Sequence, residues 1–483
     1  MAASSRGFLV VCFLLAVTFL VLFSGVFSGK GCAVALASDA DIVVEPGQSI
    51  SAALNSASQG DTILLTSGTY SQSQISVNKT VTIIGEDADR TIIDGGGTAS
   101  NIFMISADNV VIENLTVENT DPNFAVSAPA VYLFKATGVH VENLSITKAF
   151  FGLQFTDSNF SMVTYCRISD SYGNGVFLRD GSCNNTFFGN TIENNSIGMV
   201  LSDPTCQFNK VYGNNFIGNP VQLQFFGTGN YFDDGYPSGG NYWSDAVGTD
   251  VKSGPSQNEV GGDGILDQGY PESSPWDNYP LDWPITNLQV TVGAENFVLQ
   301  VSTNSSLTGC YFNGTAKTVG LLVSAEENVV GSCRVVIPKG LLSAENMSQW
   351  KVTEVYLNRT SMNLPSFWNA DDSENTYFYF TYTQTGVSEI DLTGTLAVNE
   401  FPFDFMILAF MFVSVGVFVL RKSLRKRKSS AKVFKLLSKE LCFLFTYSPL
   451  DNRVSNRALL CCSQRTARNL FEISSSSRRT SYA

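Results

Sequence analysis

Apolar residues return in this chain at an interval of 22 or 23 residues. Ala130-Val131-Tyr132-Leu133, Gly152-Leu153-Gln154-Phe155, Gly175-Val176-Phe177-Leu178, Gly198-Met199-Val200-Leu201 and Pro220-Val221-Gln222-Leu223 follow at steps of 22, 23, 23 and 22. The second and fourth positions are always apolar and the third changes freely, as in a strand with one buried face. A second set of strand-like runs, 110–119, 139–148, 162–170, 187–195 and 211–219, falls between them. Only short Gly, Asn and Ser punctuation separates the runs, which leaves no room for crossover helices. Matching runs must then stack in parallel, and a coil of about 23 residues holds three short strands and three turns. The predicted class is all-β: a right-handed, single-stranded parallel β-helix with strands about 4.8 Å apart. Roughly seven coils fit between residues 70 and 232. Asn columns at turns, such as Asn114 and Asn143, can satisfy backbone groups in ladders.

The ends of the 483-residue chain differ in character. Residues 8–28 are an apolar run behind Arg6, and Ala35-Leu36-Ala37 supplies small residues before an acidic start. That is the pattern of a signal peptide over 1–37, with an uncleaved anchor as the alternative. Residues 401–420, FPFDFMILAFMFVSVGVFVL, run straight into RKSLRKRK. About 20 mostly apolar residues can cross a bilayer, and dense Lys/Arg on one flank fixes that flank in the cytoplasm. The sequence therefore predicts one C-terminal transmembrane helix over 401–420, β-domains outside the cell, and a basic, disordered cytoplasmic tail over 421–483. Residues 39–404 hold 40 Asp/Glu against 13 Lys/Arg, while the residues after Leu420 hold 15 Lys/Arg against 3 acids. So acidic an exterior excludes nucleic acid as a partner. It suits a surface that binds cations or stays soluble through its own charge.

A solenoid needs its first coil capped. Ser49 to Ala57 reads as a short amphipathic helix after Pro46-Gly47, and Gly60-Asp61 turns into a strand at Thr62–Leu65. The order PGQSISAALNSASQGDTILLTSGTY, then TVTIIGE and TIIDGGG, then the coils, resembles the β-helix proteins of the NosD-type, carbohydrate-binding and sugar-hydrolase class over about 42 to 283. The resemblance implies the fold for residues 38–240. It leaves activity open, because such helices serve lyases, hydrolases, adhesins and stalks alike.

From Asn241 the rhythm breaks into an Asp/Gly/aromatic-rich segment, 241–285. Asp250, Asp263, Asp267 and Asp277 are candidate calcium ligands, because carboxylates at short spacing with glycines can wrap a hard cation. The competing reading is a capping loop in which Trp243, Tyr270, Trp276 and Tyr279 cover the last coil. GNYWSD, GTD, GDGILD and DNYPL resemble the closing segment of archaeal surface β-helix proteins. Residues 286–400 alternate in runs at 296–303, 318–325, 333–338, 350–357 and 376–383, a pattern that predicts a small antiparallel β-sandwich stalk. SCRVVIPKGLL and TYFYFTYTQTGVSEIDLTGT resemble a module preceding the membrane anchor in archaeal surface proteins. Outside the cell cysteines can pair, which makes Cys310 with Cys333 the first candidate disulfide and the stacked Cys183 with Cys206 a second. Ten Asn-x-Ser/Thr sequons, Asn78, Asn304 and Asn313 among them, are glycosylation acceptors in a host with the machinery.

Asp157, Asp180 and Asp203 stand at matching places in three coils, about 5 Å apart if the stacking holds. They read either as a ligand-binding ladder for sugars or cations, or as an Asx turn repeated with the coil. His140 is the only histidine. No His cluster, Cys-x-x-Cys or Met-rich stretch offers a copper or zinc site, no nucleotide motif is present, and no catalytic residue is identified. The expected role is a cell-surface binding or structural one toward glycans or surface proteins. A polysaccharide lyase or glycoside hydrolase acting along the solenoid side is the alternative.

Overall fold

The computed structural model describes residues 40–398, apart from 124, 275, 325–329, 356–360, 365 and 384–386. The expected signal peptide (1–37), transmembrane helix (401–420) and basic tail (421–483) lie outside the described residues. Among the described residues no helix is long and apolar enough to cross a membrane.

Each coil contributes one strand to each of three parallel sheets, of eight, eight and seven strands. The repeat seen in the sequence is the repeat in space. Val131 pairs with Leu153, Leu153 with Val176, and Val176 with Met199. All four side chains are buried in the interior. The last step departs from expectation. Met199 pairs with Leu223 and Leu201 with Phe225, a step of 24 rather than 22. The alternation survives because the offset is two residues. Val221 is thereby left on the surface at 43% exposure.

The interior is a close-packed apolar column from Val44 to Trp243, and in its later coils the corners become polar. Asparagines stand there at five-residue spacing within a coil, Asn185, Asn190 and Asn195, and again 24 residues on at Asn209, Asn214 and Asn219. Their side chains bond from coil to coil. Asn185 Nδ2 reaches Asn209 Oδ1 at 3.1 Å, Asn190 reaches Asn214 at 2.9 Å, and Asn195 reaches Asn219 at 3.2 Å. A buried amide is tolerated only when its donors and acceptors are all engaged. Stacking identical amides at the coil spacing achieves that.

Both ends of the solenoid are closed. At the first coil the helix Ile50–Ser56 is N-capped by Ser49, whose hydroxyl accepts from Ala52 N, and it buries Ile50, Ala53 and Leu54. At the last coil Trp243 stacks on Phe216 (4.4 Å, 15°), Tyr270 stacks on Trp243 (4.8 Å, 11°), and Trp276 stands edge-on to Trp243. The segment 241–285 is thus an aromatic lid. Its aspartates serve the backbone of that lid. Asp250 accepts from Asp263 N and Gly264 N, Asp267 from Val251 N and Lys252 N, and Asp277 from Asn241 N, Trp243 Nε1 and Tyr279 N. Asp263 accepts from Gln257 and from Ile265 N. Each of the four carboxylates is thus engaged by donors of the lid itself. Among the described residues no three His, Cys, Asp or Glu side chains form a group that could hold a metal ion.

The C-terminal part has two five-stranded antiparallel sheets. One contains Ile285–Val292, Glu295–Thr303, Val330–Pro338, Asn375–Thr383 and Trp368–Asp371, and the other is centred on Thr318–Ser324 and Val387–Thr393. Leu299, Val335 and Phe378 of the first meet Val319, Leu321 and Ile390 of the second in one core, which is a sandwich. The expected Cys310–Cys333 bridge is not present. Cys310 lies on Ser306–Asn313 and Cys333 on Val330–Pro338, in different sheets, and both are free. Burial pushes the Cys333 thiol up to about 12.

The sandwich is fastened to the lid by Arg334, which is 2% exposed. Its guanidinium donates to the carbonyls of Asp263 (3.0 Å), Pro237 and Ser238 (3.1 Å) and lies over the Tyr377 ring at 5.2 Å. Truncating a buried charge strands its partners. Arg334→Ala is therefore expected to cost about 3 kcal/mol and to make the segment after residue 285 cleavable at a protease concentration that spares the parent. Limited proteolysis with a parallel urea melt measures both.

Candidate functional site

At the corner between strands Val111–Glu113 and Thr116–Thr120, and at the same corner of the four coils that follow, one residue stands in the left-handed region: Asn114 (φ 59°), Asn143 (50°), Tyr165 (57°), Gly189 (71°) and Gly213 (65°). Asn and Gly occupy that conformation most readily. Asn143 Nδ2 donates to Asn114 Oδ1 at 2.7 Å, the outer ladder anticipated in the sequence. Farther along, rings lie across the glycines. A Cβ at Gly189 would stand 2.7 Å from the Tyr165 ring, and one at Gly213 would stand 2.8 Å from Phe188. Tyr165, Phe188 and Tyr212 so form a continuous aromatic run, with centroid separations of 5.9 and 5.1 Å.

The hairpin Ile285–Thr303 of the sandwich lies over this corner. Asn215 takes both backbone groups of Ile285 with its side-chain amide, at 2.7 and 2.8 Å. Asn287 Nδ2 donates to the Gly189 carbonyl at 2.8 Å, and Gln300 Nε2 donates to Asn287 Oδ1 at 3.1 Å. Phe188 and Tyr212 line a small cavity of about 20 Å³ beneath the hairpin. One coil earlier the hairpin stands clear, and a cleft of about 510 Å³ opens over Tyr165. Asn143, Tyr165, Arg167 and Thr191 form its floor, and Thr286, Asn287 and Gln289 its roof. Its volume falls in the range of small-ligand clefts, but its lining is mostly polar, with one ring among amides, hydroxyls and a guanidinium.

The electrostatics of the cleft are simple. Arg167 is engaged by the Glu193 carboxylate. Burial, helped by Glu142 and Tyr212, pushes the Tyr165 phenol up to about 12, so it stays a neutral donor. Glu142 immediately precedes Asn143 and pairs in register with Glu113 one coil back. Burial and then the Glu142 charge raise the Glu113 carboxyl above its usual value. Neither glutamate lines the cleft itself.

The aspartates singled out by the repeat lie elsewhere. Thr156 pairs with Arg179 and Leu178 with Leu201, so Asp157, Asp180 and Asp203 do follow one another on successive coils, at the exit of the third sheet. Asp157 (φ 51°) and Asp180 (φ 53°) are left-handed turn residues. Asp180 N donates to Asp203 Oδ2 at 2.7 Å, Thr205 donates to Asp203 through its amide and hydroxyl, and Arg179 Nε binds Asp180 at 2.8 Å. Burial opposes ionisation of Asp203, but these hydrogen bonds outweigh it and hold the carboxyl below its usual value. The arrangement is a stack of turns, and none of the three lines the cleft. Cys183 and Cys206 are not stacked either. Asn185 N bonds Asn209 Oδ1, a 24-residue step, which brings Cys183 level with Gln207 and sends Cys206 into the interior, and both thiols are free.

Sequence reasoning missed Tyr165, Arg167, Asn287 and Gln289. A signal existed for the first two. The corner reads Asn114-Leu115-Thr116 and Asn143-Leu144-Ser145, then changes to Tyr165-Cys166-Arg167.

Residues 33–248 match the model of a family described as periplasmic copper-binding protein (NosD). The solenoid is a NosD-type parallel β-helix. No curated protein matches the chain. Among solved structures, pectin methylesterase PemA from Erwinia chrysanthemi is 18% identical over 38% of this chain and 67% of that one, with a TM-score of 0.31. An alginate lyase from Paenibacillus sp. str. FPU-7 is 14% identical over 39% and 75%, with a TM-score of 0.33. Pectate lyase Pel9A is 16% identical over 46% and 73%, with a TM-score of 0.30. These likenesses are of fold alone. The copper in the family's description does not fit this NosD-type solenoid. His140, the chain's one histidine, faces Glu142 at 3.8 Å, and Cys166 and Cys206 are buried with their Sγ atoms directed at backbone and Asp203 oxygens. Among the described residues, soft nitrogen and sulfur donors do not converge at any point.

Proposed function

We propose that this chain is a non-catalytic glycan-binding protein of the cell surface, held to the membrane by its apolar segment 401–420. What supports the reading is the cleft over Tyr165. Its floor offers the half-buried Tyr165 ring beside amide, hydroxyl and guanidinium groups, and its roof adds Thr286 and Gln289. Sugars present both faces that such a site needs: C–H patches that lie on rings, and hydroxyls that exchange hydrogen bonds with amides. The solenoid holds the floor rigid, and Asn215 and Asn287 fix the roof to it. A glycan-array screen of the full-length chain, followed by calorimetry on the best ligand, tests this. Tyr165→Ala is expected to weaken binding about tenfold, near 1.4 kcal/mol, and the recovered oligosaccharide is expected uncut. Phe208→Ala, an exposed ring at a different corner, is the control. Equal affinity in the Tyr165 variant and the parent removes the cleft as the site.

A further inference from the structure

We infer that the cleft selects uncharged glycans, and that Glu142 sets this selectivity by repelling sugars that carry carboxylates. This rests on reading the cleft as the glycan site. The charges around it decide the matter. Arg167 is the one cation among the lining residues, and Glu193 already neutralises it. The roof brings no compensating positive charge, since Glu295 is the only ionisable residue between Ile285 and Val298. On the floor side, Glu142 and Glu113 stand on adjacent strands next to Asn143 and Asn114. His140 Nε2 sits 3.8 Å from Glu142 and offsets its charge only when the imidazole is protonated. The Glu142 charge is felt inside the cleft, where it helps to raise the Tyr165 phenol. A uronate chain entering here would carry a carboxylate on every ring into a site whose single cation is taken. A neutral chain of the same shape keeps the ring contact and the hydroxyl contacts without that repulsion. Like charges within a Debye length, about 10 Å at 0.1 M salt, are screened as ionic strength rises, which gives the selectivity a signature of its own.

The test compares a neutral glucan hexasaccharide with hexagalacturonate on the full-length chain at low and high salt. The neutral ligand is expected to bind at least tenfold tighter at low salt, with the ratio shrinking at high salt. Glu142→Gln is expected to reduce the low-salt ratio about fivefold, and Arg167→Gln, which frees Glu193, to widen it. Uronate binding equal to or tighter than neutral binding overturns the selectivity while leaving the cleft as the site. An unchanged ratio in Glu142→Gln removes Glu142 as its cause. Binding of neither ligand, nor of any other glycan on the array, overturns the reading of the cleft and the selectivity with it.

Discussion

Asn214→Ala is expected to lower the unfolding free energy by about 3–5 kcal/mol, measured by urea unfolding at neutral pH. Asn214 is fully buried and uses every polar atom it has. Its Nδ2 donates to the Phe187 and Tyr212 carbonyls and to Asn241 Oδ1, and its Oδ1 accepts from both the backbone and the side-chain nitrogen of Asn190. Alanine removes all five bonds and takes from the buried Asn190 N its acceptor, while Asn190 Nδ2 keeps the Val163 carbonyl and Asn241 Oδ1 keeps the backbone N–H of residue 214. A donor so stranded costs about 1–3 kcal/mol, the other lost bonds add to it, and water entering the gap offsets part of the total. Asn143→Ala is the informative control. It also breaks an asparagine ladder and puts alanine in the left-handed region, but at a half-buried outer corner, so about 1 kcal/mol is expected. Similar losses in the two variants would mean that burial of the inner column contributes nothing special.

That contrast also separates what the sequence showed from what it concealed. Alternation at steps of 22 and 23 located the inward positions from Val131 to Leu201, because a period of two fixes the face once one register is known. It failed at Val221, which lies on the surface because an extra two residues preserve the alternation and so leave no trace in the pattern. The outer Asn114–Asn143 ladder was legible because Asn in a turn is a common signal. The inner ladders were not, although Asn185, Asn190 and Asn195 repeat 24 residues on. Asparagine in an apolar strand reads as punctuation until its partner coil is known. The aspartate stack was placed correctly, yet its hydrogen bonds belong to turns. The candidate cleft was the least legible part. Asn143 and Gln289 meet there from distant parts of the chain, and nothing in a repeat tells which corner the following domain will cover. Only the switch to Tyr165-Cys166-Arg167 marked the place.

Raising the pH from 4 to 8 is expected to destabilise the fold, with Asp277 as the main cause. Its carboxyl is fully buried beneath the aromatic lid. Gly240 presses against it so closely that a Cβ there would stand 2.0 Å from Oδ1. Burial pushes the group up to about 7, although Asn241 N, Trp243 Nε1 and Tyr279 N all donate to it and pull the other way. Burial likewise raises Asp250 to about 6 against the pull of the Asp263 and Gly264 amides. In the unfolded chain both titrate near 3.8. Between those values the native state holds protons that the unfolded state has released, so stability falls as pH rises. The contribution is fully present below about pH 4 and is lost by about pH 7, and each pH unit separating the folded from the unfolded titration is worth about 1.4 kcal/mol. On that scale Asp277 accounts for a loss on the order of 4 kcal/mol. Asp203 and Asp372, held below their usual value, act with the opposite sign and only at lower pH, where protonating them removes stability. Urea unfolding at half-unit steps from pH 4.5 to 7.5 gives the slope. Asp277→Asn places an amide donor against the Tyr279 N–H and lowers the whole curve, so the slope, rather than the height, is the readout. A flatter profile in the variant assigns the pH dependence to Asp277, and parallel profiles would mean that the buried carboxyl is already ionised in the native state at pH 5.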